Sequence, residues 1–266
     1  MSLSEFKNLE KGFLDSLSLI GDDLNKIMVV GGWCPYLYAR YLWKKPIPNI
    51  PTTTDIDFGV LETGPQKFRQ TLYDKLKTAG LPFERLYEDE AVPIEFIYKN
   101  KEVEMKMEFI TSFQTSDDTL NRFLGSALAC NRIEAFELLL GNPLMMQIKN
   151  EKKNLKIQVP KPEAFLFHKG ITFVMRSDDF KRDKDLFYLY FMLKFCPDQI
   201  ALLKNLEIFK NHEFFDAFQG NLTEYLSDVS KPGYLVLRPF IRRWIEEKNI
   251  NSEIENIFKG IIKILL

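Results

Sequence analysis

Two acidic residues spaced two apart are the first feature of this sequence that could carry chemistry. Asp55 and Asp57 occur in the segment TTTDIDFGV, where they alternate with Ile56 and Phe58. In an extended strand, residues two apart point to the same face, so both carboxylates can bind one ligand. Carboxylate oxygens are the donors that Mg²⁺ and Mn²⁺ prefer. The spacing therefore predicts a divalent-metal site at Asp55 and Asp57.

A second two-faced strand supplies a candidate third acid. In the segment KEVEMKMEFIT, apolar residues alternate with charged ones. Glu108 is the best candidate, and Glu104 is the fallback because a shift of two residues preserves side-chain direction. Three carboxylates on neighbouring strands can hold two ions about 3.5–4 Å apart, the arrangement used for in-line displacement at phosphorus. We therefore expect two Mg²⁺ or Mn²⁺ ions at Asp55, Asp57 and Glu108.

A glycine pair lies upstream of these acids. Gly31 and Gly32 end an apolar run, IMVV, and the residues from Trp33 to Trp43 suit a helix. Backbone without side chains at a helix start leaves N–H groups free to approach phosphate oxygens. The pair alone could be only a tight strand-to-helix turn. Combined with the acidic strands, it favours binding of a nucleoside triphosphate.

The elements that must position these residues follow from hydrophobic periodicity. Apolar residues at three- and four-residue intervals predict a first helix that ends near Gly21, whereas prolines and threonines in 45–54 predict an irregular loop. Strand patterns mostly disappear after Pro160. We therefore predict an α+β domain over residues 1–160 and a helical domain over 161–266. Further expected elements are strands at 27–30, 55–61, 82–87, 93–98, 144–149 and 154–159 and a helix at 66–79.

Composition limits the class of protein. Lysine plus arginine (36) nearly balance aspartate plus glutamate (37) in the 266 residues, so the net charge attracts neither nucleic acid nor an anionic membrane. The three cysteines lack CxxC spacing, and the two histidines are not spaced as a metal pair. No signal-peptide core and no stretch of roughly 20 apolar residues is present. We expect a cytoplasmic protein with reduced thiols and no membrane association.

The sequence resembles the nucleotidyltransferase superfamily typified by DNA polymerase beta, and within it the AbiEii-like bacterial nucleotidyltransferases. The similar segments are VVGGWCPYLYARYL, TTTDIDFGV, MKMEFIT and the helical stretch PEAFLFHKGITFVMRSDDFKRDKDLFYLYFML. The resemblance implies a mixed β-sheet flanked by helices, followed by an all-helical C-terminal part. It also implies that Gly31 and Gly32 contact the triphosphate, and that Glu108 helps to activate the attacking hydroxyl.

The same resemblance assigns roles in the helical part. Lys169, Arg176, Lys184 and Asp185 would line the cleft from the helical side, with a lysine meeting phosphate or the leaving pyrophosphate. The sequence departs from the family in having Gly32 after the first glycine, where serine is usual, and Tyr188, where an AbiEii-like protein has aspartate.

Two main hypotheses of function follow. The first is a metal-dependent enzyme that moves a nucleoside monophosphate from an NTP to a hydroxyl of an RNA end, a protein or a small molecule, releasing pyrophosphate. The second is a catalytically weak relative that binds nucleotide or a cognate antitoxin protein. A glycosyltransferase with an Asp-x-Asp motif is a third alternative, which the upstream glycine turn disfavours.

Overall fold

The chain folds as two compact units in the computed structural model. Met1–Tyr36 with Thr52–Pro160 form the first unit, and Leu37–Pro51 with Lys161–Leu266 form the second. The sequence predicted one division near residue 160 and put residues 37–51 in the first part, so the structure differs there. Tyr38 explains the difference, because its ring packs against Phe165 at a centroid distance of 5.9 Å. The structure describes residues 3–45, 53–61, 68–85, 94–149, 154–244 and 249–265.

The first unit contains all the strands in these ranges, and the second is entirely helical there. The strands are β1 (Ile27–Val29), β2 (Asp55–Val60), β3 (Phe83–Arg85), β4 (Ile94–Lys99), β5 (Glu104–Ser112), β6 (Asn131–Ile133), β7 (Leu144–Lys149) and β8 (Asn154–Val159). The α-helices are α1 (Leu3–Ile20), α2 (Cys34–Leu37), α3 (Leu72–Thr78), α4 (Asp117–Phe123), α5 (Glu137–Leu140), α6 (Pro162–Thr172), α7 (Asp179–Phe195), α8 (Gln199–Asn205), α9 (Phe215–Leu226), α10 (Pro232–Trp244) and α11 (Ile250–Leu265).

The main sheet is mixed and has β5 at its centre. Its order is β1-β2-β5-β4-β3, with β6 also paired to β5, and β7 with β8 forms a separate hairpin. β5 runs parallel to β2 and β6 and antiparallel to β4. The hairpin is joined to the segment before β1 by the amide of Gln158, which donates to the carbonyl of Asn25 at 2.8 Å. The mixed sheet with flanking helices and the helical C-terminal part confirm the predicted fold class.

Helix α1 covers the apolar face of the sheet. Its stripe includes Phe13 and Leu17, which are fully buried. A Cβ on Gly12 would lie 2.7 Å from the sulfur of Met105, so α1 crosses β5 in close contact at this glycine. Since side chains alternate along a strand, the charged residues of β5 project from the opposite face.

The observed elements match most of the predicted ones, with two informative differences. Helix α3 begins at Leu72 and not at 66, because the hydroxyl of Thr71 accepts a hydrogen bond from the backbone N–H of Asp74 and caps the helix. The predicted helix over 33–43 combines a 3₁₀ turn at Gly31–Trp33, the short α2 and a π-helix at Tyr38–Leu42. Most of the predicted loop 45–54 and the first residues of the helix predicted over 66–79 lie outside the described residues.

The core of the second unit forms around α6 and α7. The aromatic run FYLYF at 187–191 in α7 is fully buried. Gly170 lets α6 approach α9, since a Cβ there would lie 2.3 Å from the ring of Phe218. The amide of Asn221 in α9 donates to the carbonyls of Gly170 and Ile171 at 3.0 Å. These contacts fix α6, the helix that carries Lys169, against α9.

Candidate active site

The predicted acids of the first unit lie side by side on β2 and β5. The parallel register pairs Asp57 with Glu108 and Asp55 with Lys106. Neighbouring strands lie about 4.8 Å apart, and paired residues of parallel strands point to the same face. Asp55, Asp57 and Glu108 are all half-buried. We call the surface that these three carboxylates form the carboxylate face.

The register also separates the two candidates for the third acid. Glu108 is the direct partner of Asp57, whereas Glu104 lies four residues earlier on β5. Lys99 donates a hydrogen bond to the carboxylate of Glu104 at 2.7 Å, across the β4–β5 hairpin. Glu104 is therefore paired with Lys99 at the first residue of β5, away from Asp57.

The glycine turn lies directly against Asp57. Gly31 has φ +65, and a Cβ built on it would lie 1.7 Å from Oδ2 of Asp57. The backbone N–H of Val30 donates to the carbonyl of Asp57 at 2.9 Å, which ties the turn to β2. Gly32 follows at a buried position. Position 31 must be glycine for two reasons, since a side chain would strain the backbone and would overlap the carboxylate.

One end of the same sheet face is covered by apolar residues. A Cβ on Gly59, which follows Asp57 by two residues on β2, would lie 3.1 Å from both Phe136 and Leu140. Phe136 belongs to a group of buried apolar side chains, and Ile110 of β5 also packs against this group. The acids thus lie at the border of a dry, packed region.

Three further charged residues extend this face beyond what the sequence patterns suggested. Glu84 on β3 is the register partner of Glu95 on β4, and Lys106 on β5 donates to Glu84 at 2.7 Å. Burial raises the pKa of Glu95, and the carboxylates of Asp55 and Glu84 add to this shift while Lys106 opposes it. Alternation in IEFIYK could have identified Glu95. Its proximity to the site depends on the strand order, which alternation does not predict.

The donor chemistry of the carboxylate face fits a divalent cation. Asp55, Asp57 and Glu108 offer hard oxygen ligands on one surface, as Mg²⁺ and Mn²⁺ require. Among the residues described, no group of three or more His, Cys, Asp or Glu side chains is gathered as a metal site. The two-ion site therefore stays a prediction.

Three of the predicted residues in the helical unit form a buried ion cluster. Asp185 accepts from Lys169 at 2.7 Å and from Arg176 at 3.0 Å. The side chains of Asp185 and Lys169 are only 3% and 7% exposed, whereas that of Arg176 is 42% exposed. We call these three residues the buried cluster. Lys184, the residue before Asp185 on α7, is half-buried. The role of all four in nucleotide binding stays a prediction.

The remaining sequence expectations concern cysteines and membrane segments. Cys34, Cys130 and Cys196 are free thiols, as predicted, and burial raises the pKa of Cys130 to about 12. A thiol with so high a pKa is protonated at neutral pH and is a weak nucleophile. In the ranges that the structure describes, no helix is long and apolar enough to cross a membrane.

Comparison with known proteins identifies the family. A family model described as Nucleotidyltransferase matches residues 13–205, which include both the carboxylate face and the buried cluster. No curated protein matches the chain. A solved antigenic nucleotidyltransferase-like protein from Paracoccidioides brasiliensis is 14% identical, with 79% of this chain and 90% of that chain covered and a TM-score of 0.40. So distant a likeness carries no weight for fold or function. The family match covers most of the sequence, and the chain therefore belongs to the nucleotidyltransferase family.

Proposed function

We propose that the chain transfers a nucleoside monophosphate from an NTP to a hydroxyl group and releases pyrophosphate, in a reaction that requires Mg²⁺ or Mn²⁺. The pairing of Asp57 with Glu108, beside a glycine whose missing side chain makes room for the Asp57 carboxylate, supports this proposal most directly. An acid pair on neighbouring strands and a side-chain-free turn together suit a cation and a phosphate. The family match supports the same class of reaction.

The reaction forms one bond to phosphorus and breaks another. The acceptor oxygen bonds to the α-phosphorus while that phosphorus loses its bond to the oxygen bridging to the β-phosphate, and pyrophosphate leaves with that oxygen. Glu108 accepts the hydroxyl proton. Asp55 and Asp57 fix the position of the cations, and two bound cations would lower the pKa of the acceptor and neutralise charge on the phosphate oxygens. Most of the acceleration comes from positioning and electrostatics.

The family resemblance names nucleotide-binding residues in each of the two units. The backbone at Gly31 and Gly32 approaches the phosphate oxygens. In the helical unit, Arg176 has the exposure to meet a phosphate, and Asp185 holds its guanidinium in one orientation. The resemblance also names Lys169 and Lys184, of which Lys169 is already paired with Asp185. An RNA end, a protein or a small molecule supplies the hydroxyl, and the resemblance to AbiEii-like proteins adds a cognate antitoxin as a possible partner.

A transfer assay with labelled nucleotide tests the proposal. The purified chain is incubated with each α-³²P-labelled NTP, Mg²⁺ or Mn²⁺, and pools of RNA, protein and small-molecule acceptors. We expect label to appear in one acceptor class and pyrophosphate to be released in equal amount. The Asp57→Asn variant should lose at least about 1,000-fold in rate, because it removes a group that acts in the transition state.

Two results would count against transferase activity. NTP binding by calorimetry, with no labelled product from any acceptor, would favour the second hypothesis, a binding protein of the same fold. Equal transfer by the wild type and by Asp57→Asn would show that the chemistry occurs elsewhere in the molecule.

A further inference from the structure

Lys106 is a cation within a group of acidic side chains. It is the register partner of Asp55 on β2 and of Ile97 on β4, and it lies two residues before Glu108 on β5. Residues two apart on a strand share a face, so Lys106 projects from the surface that carries Asp57 and Glu108. The charge of Lys106 therefore acts on any ligand that binds to Asp57 and Glu108.

The side chain of Lys106 reaches away from Asp57 and towards the edge of the sheet. Its Nζ lies 2.7 Å from Oε2 of Glu84 on β3, and the two side chains are 38% and 49% exposed. The hydrogen bond that Lys106 donates to Glu84 raises the pKa of Lys106, and the charges of Glu84, Glu95 and Asp55 add to that shift. An ion pair this exposed is weak, because water screens it. Another anion can therefore replace Glu84.

A bound triphosphate would be such an anion. Lys106 and Glu108 are separated by about 7 Å along the strand, and the four-carbon stem of lysine is flexible enough to cover such a distance. A lysine ammonium is a common point-charge ligand of phosphate. Before the nucleotide binds, the same ammonium competes with metal cations for the surrounding carboxylates, because like charges repel.

We propose that Lys106 is a triphosphate-binding residue, held by Glu84 until the phosphates of the nucleotide replace that carboxylate. This inference rests on the proposed function, because it requires the triphosphate to bind beside Asp57. It adds a residue outside the glycine turn and the helical unit, and it gives Glu84 a role as the competing anion.

Direct binding measurements on the full chain test this role. Mn²⁺ affinity is measured alone, and tripolyphosphate affinity is measured with Mn²⁺ present, so that neither base nor acceptor matters. For Lys106→Met we expect tripolyphosphate affinity to fall about tenfold, as for loss of one charge-assisted hydrogen bond. Affinity for Mn²⁺ alone should rise about threefold, because a repelling charge is gone. Lys106→Arg should restore tripolyphosphate binding.

Two other variants sharpen the test. Glu84→Gln should raise tripolyphosphate affinity about twofold, because the competing ion pair is lost. Lys99→Met is the matched control, since Lys99 forms a similar exposed pair with Glu104 at 2.7 Å on the same hairpin. It should change neither affinity.

The outcomes separate this inference from the proposed function. If Lys106→Met behaves like Lys99→Met while Asp57→Asn abolishes Mn²⁺ and tripolyphosphate binding, the role of Lys106 is wrong and the active site stands. If the wild type binds neither Mn²⁺ nor tripolyphosphate, both proposals fail. Opposite changes in the two affinities for Lys106→Met would support the inference, because a purely structural defect lowers both.

Discussion

The carboxylate face and the buried cluster both concentrate charge, but they stabilise it in opposite ways. On the face, Asp55, Asp57 and Glu108 lie near one another at half-buried positions. In the cluster, one buried carboxylate, Asp185, is bound by two cations. Adjacent like charges destabilise a fold unless a cation or another ligand neutralises them. A buried ion cluster stabilises helix packing only while each of its buried charges keeps its partner. The contrast is consistent with the ligand-binding role that we propose for the face, and with a structural role for the buried Asp185–Lys169 pair of the cluster.

Removal of one carboxylate from each region should have the largest and most unequal effect. Asp185→Asn leaves Lys169 buried without its anion and should lower the free energy of unfolding by about 3–5 kcal/mol. Asp55→Asn should change it by less than about 1 kcal/mol, because Asp55 is partly exposed and lies close to other carboxylates as well as to Lys106. Urea denaturation followed by circular dichroism measures both variants.

A double variant and a pH series check the cause of that loss. Lys169→Met combined with Asp185→Leu should recover most of the stability, since it removes both buried charges. Burial alone raises the pKa of Asp185, but Lys169 and Arg176 lower it by more than burial raises it. The pKa of Asp185 therefore lies below its ordinary value of 3.8. Its contribution is therefore full above that pH and is lost as pH falls through the folded pKa, at up to about 1.4 kcal/mol per pH unit. Equal acid sensitivity of wild type and double variant would contradict this account.

The carboxylate face could be predicted from the sequence only in part. Alternation identified Asp55, Asp57 and Glu108 because strand periodicity depends on local residue types. The pairing of Asp57 with Glu108 joins strands about fifty residues apart, and such a register is set by tertiary packing. Lys106 was visible as a charged residue on β5, but its contact with Glu84 depends on the strand order β5-β4-β3.

The buried cluster was harder to predict from its residues. The charge run SDDFKRDKD suits an exposed helix start, and several of its members are indeed exposed. Asp185 is buried because α6 and α7 pack together and bring Lys169, sixteen residues away, to its carboxylate. The family resemblance named these residues but implied contact with a ligand, and it did not predict their contact with one another.

The glycine turn allows an intermediate effect to be tested with a matched control. Gly31→Ala adds a methyl group that overlaps the Asp57 carboxylate, so we expect about a 100-fold loss of transferase activity from misplaced ligands. Gly80 has a similar backbone, with φ +73, but a Cβ there meets nothing within 4 Å. Gly80→Ala should therefore cost only the backbone strain, about 1–2 kcal/mol of stability, and should keep activity. If Gly31→Ala and Gly80→Ala have equal activity, the glycine turn does not position the active site.

The two glutamates of β5 provide the smallest expected effect and the strictest test of the register. Glu108→Gln should lower transfer at least about 100-fold, because in the proposed reaction Glu108 accepts the acceptor's proton and binds the cation. Glu104→Gln makes the same chemical change on the same strand, but this side chain lies at the far end and is bound by Lys99. It should alter the transfer rate and Mn²⁺ affinity by less than about twofold, because water and salt screen so exposed a charge. A loss of activity in Glu104→Gln that matches Glu108→Gln would mean that β5 slides by four residues when substrate binds, so that Glu104 and not Glu108 lies opposite Asp57 and supplies the third acid.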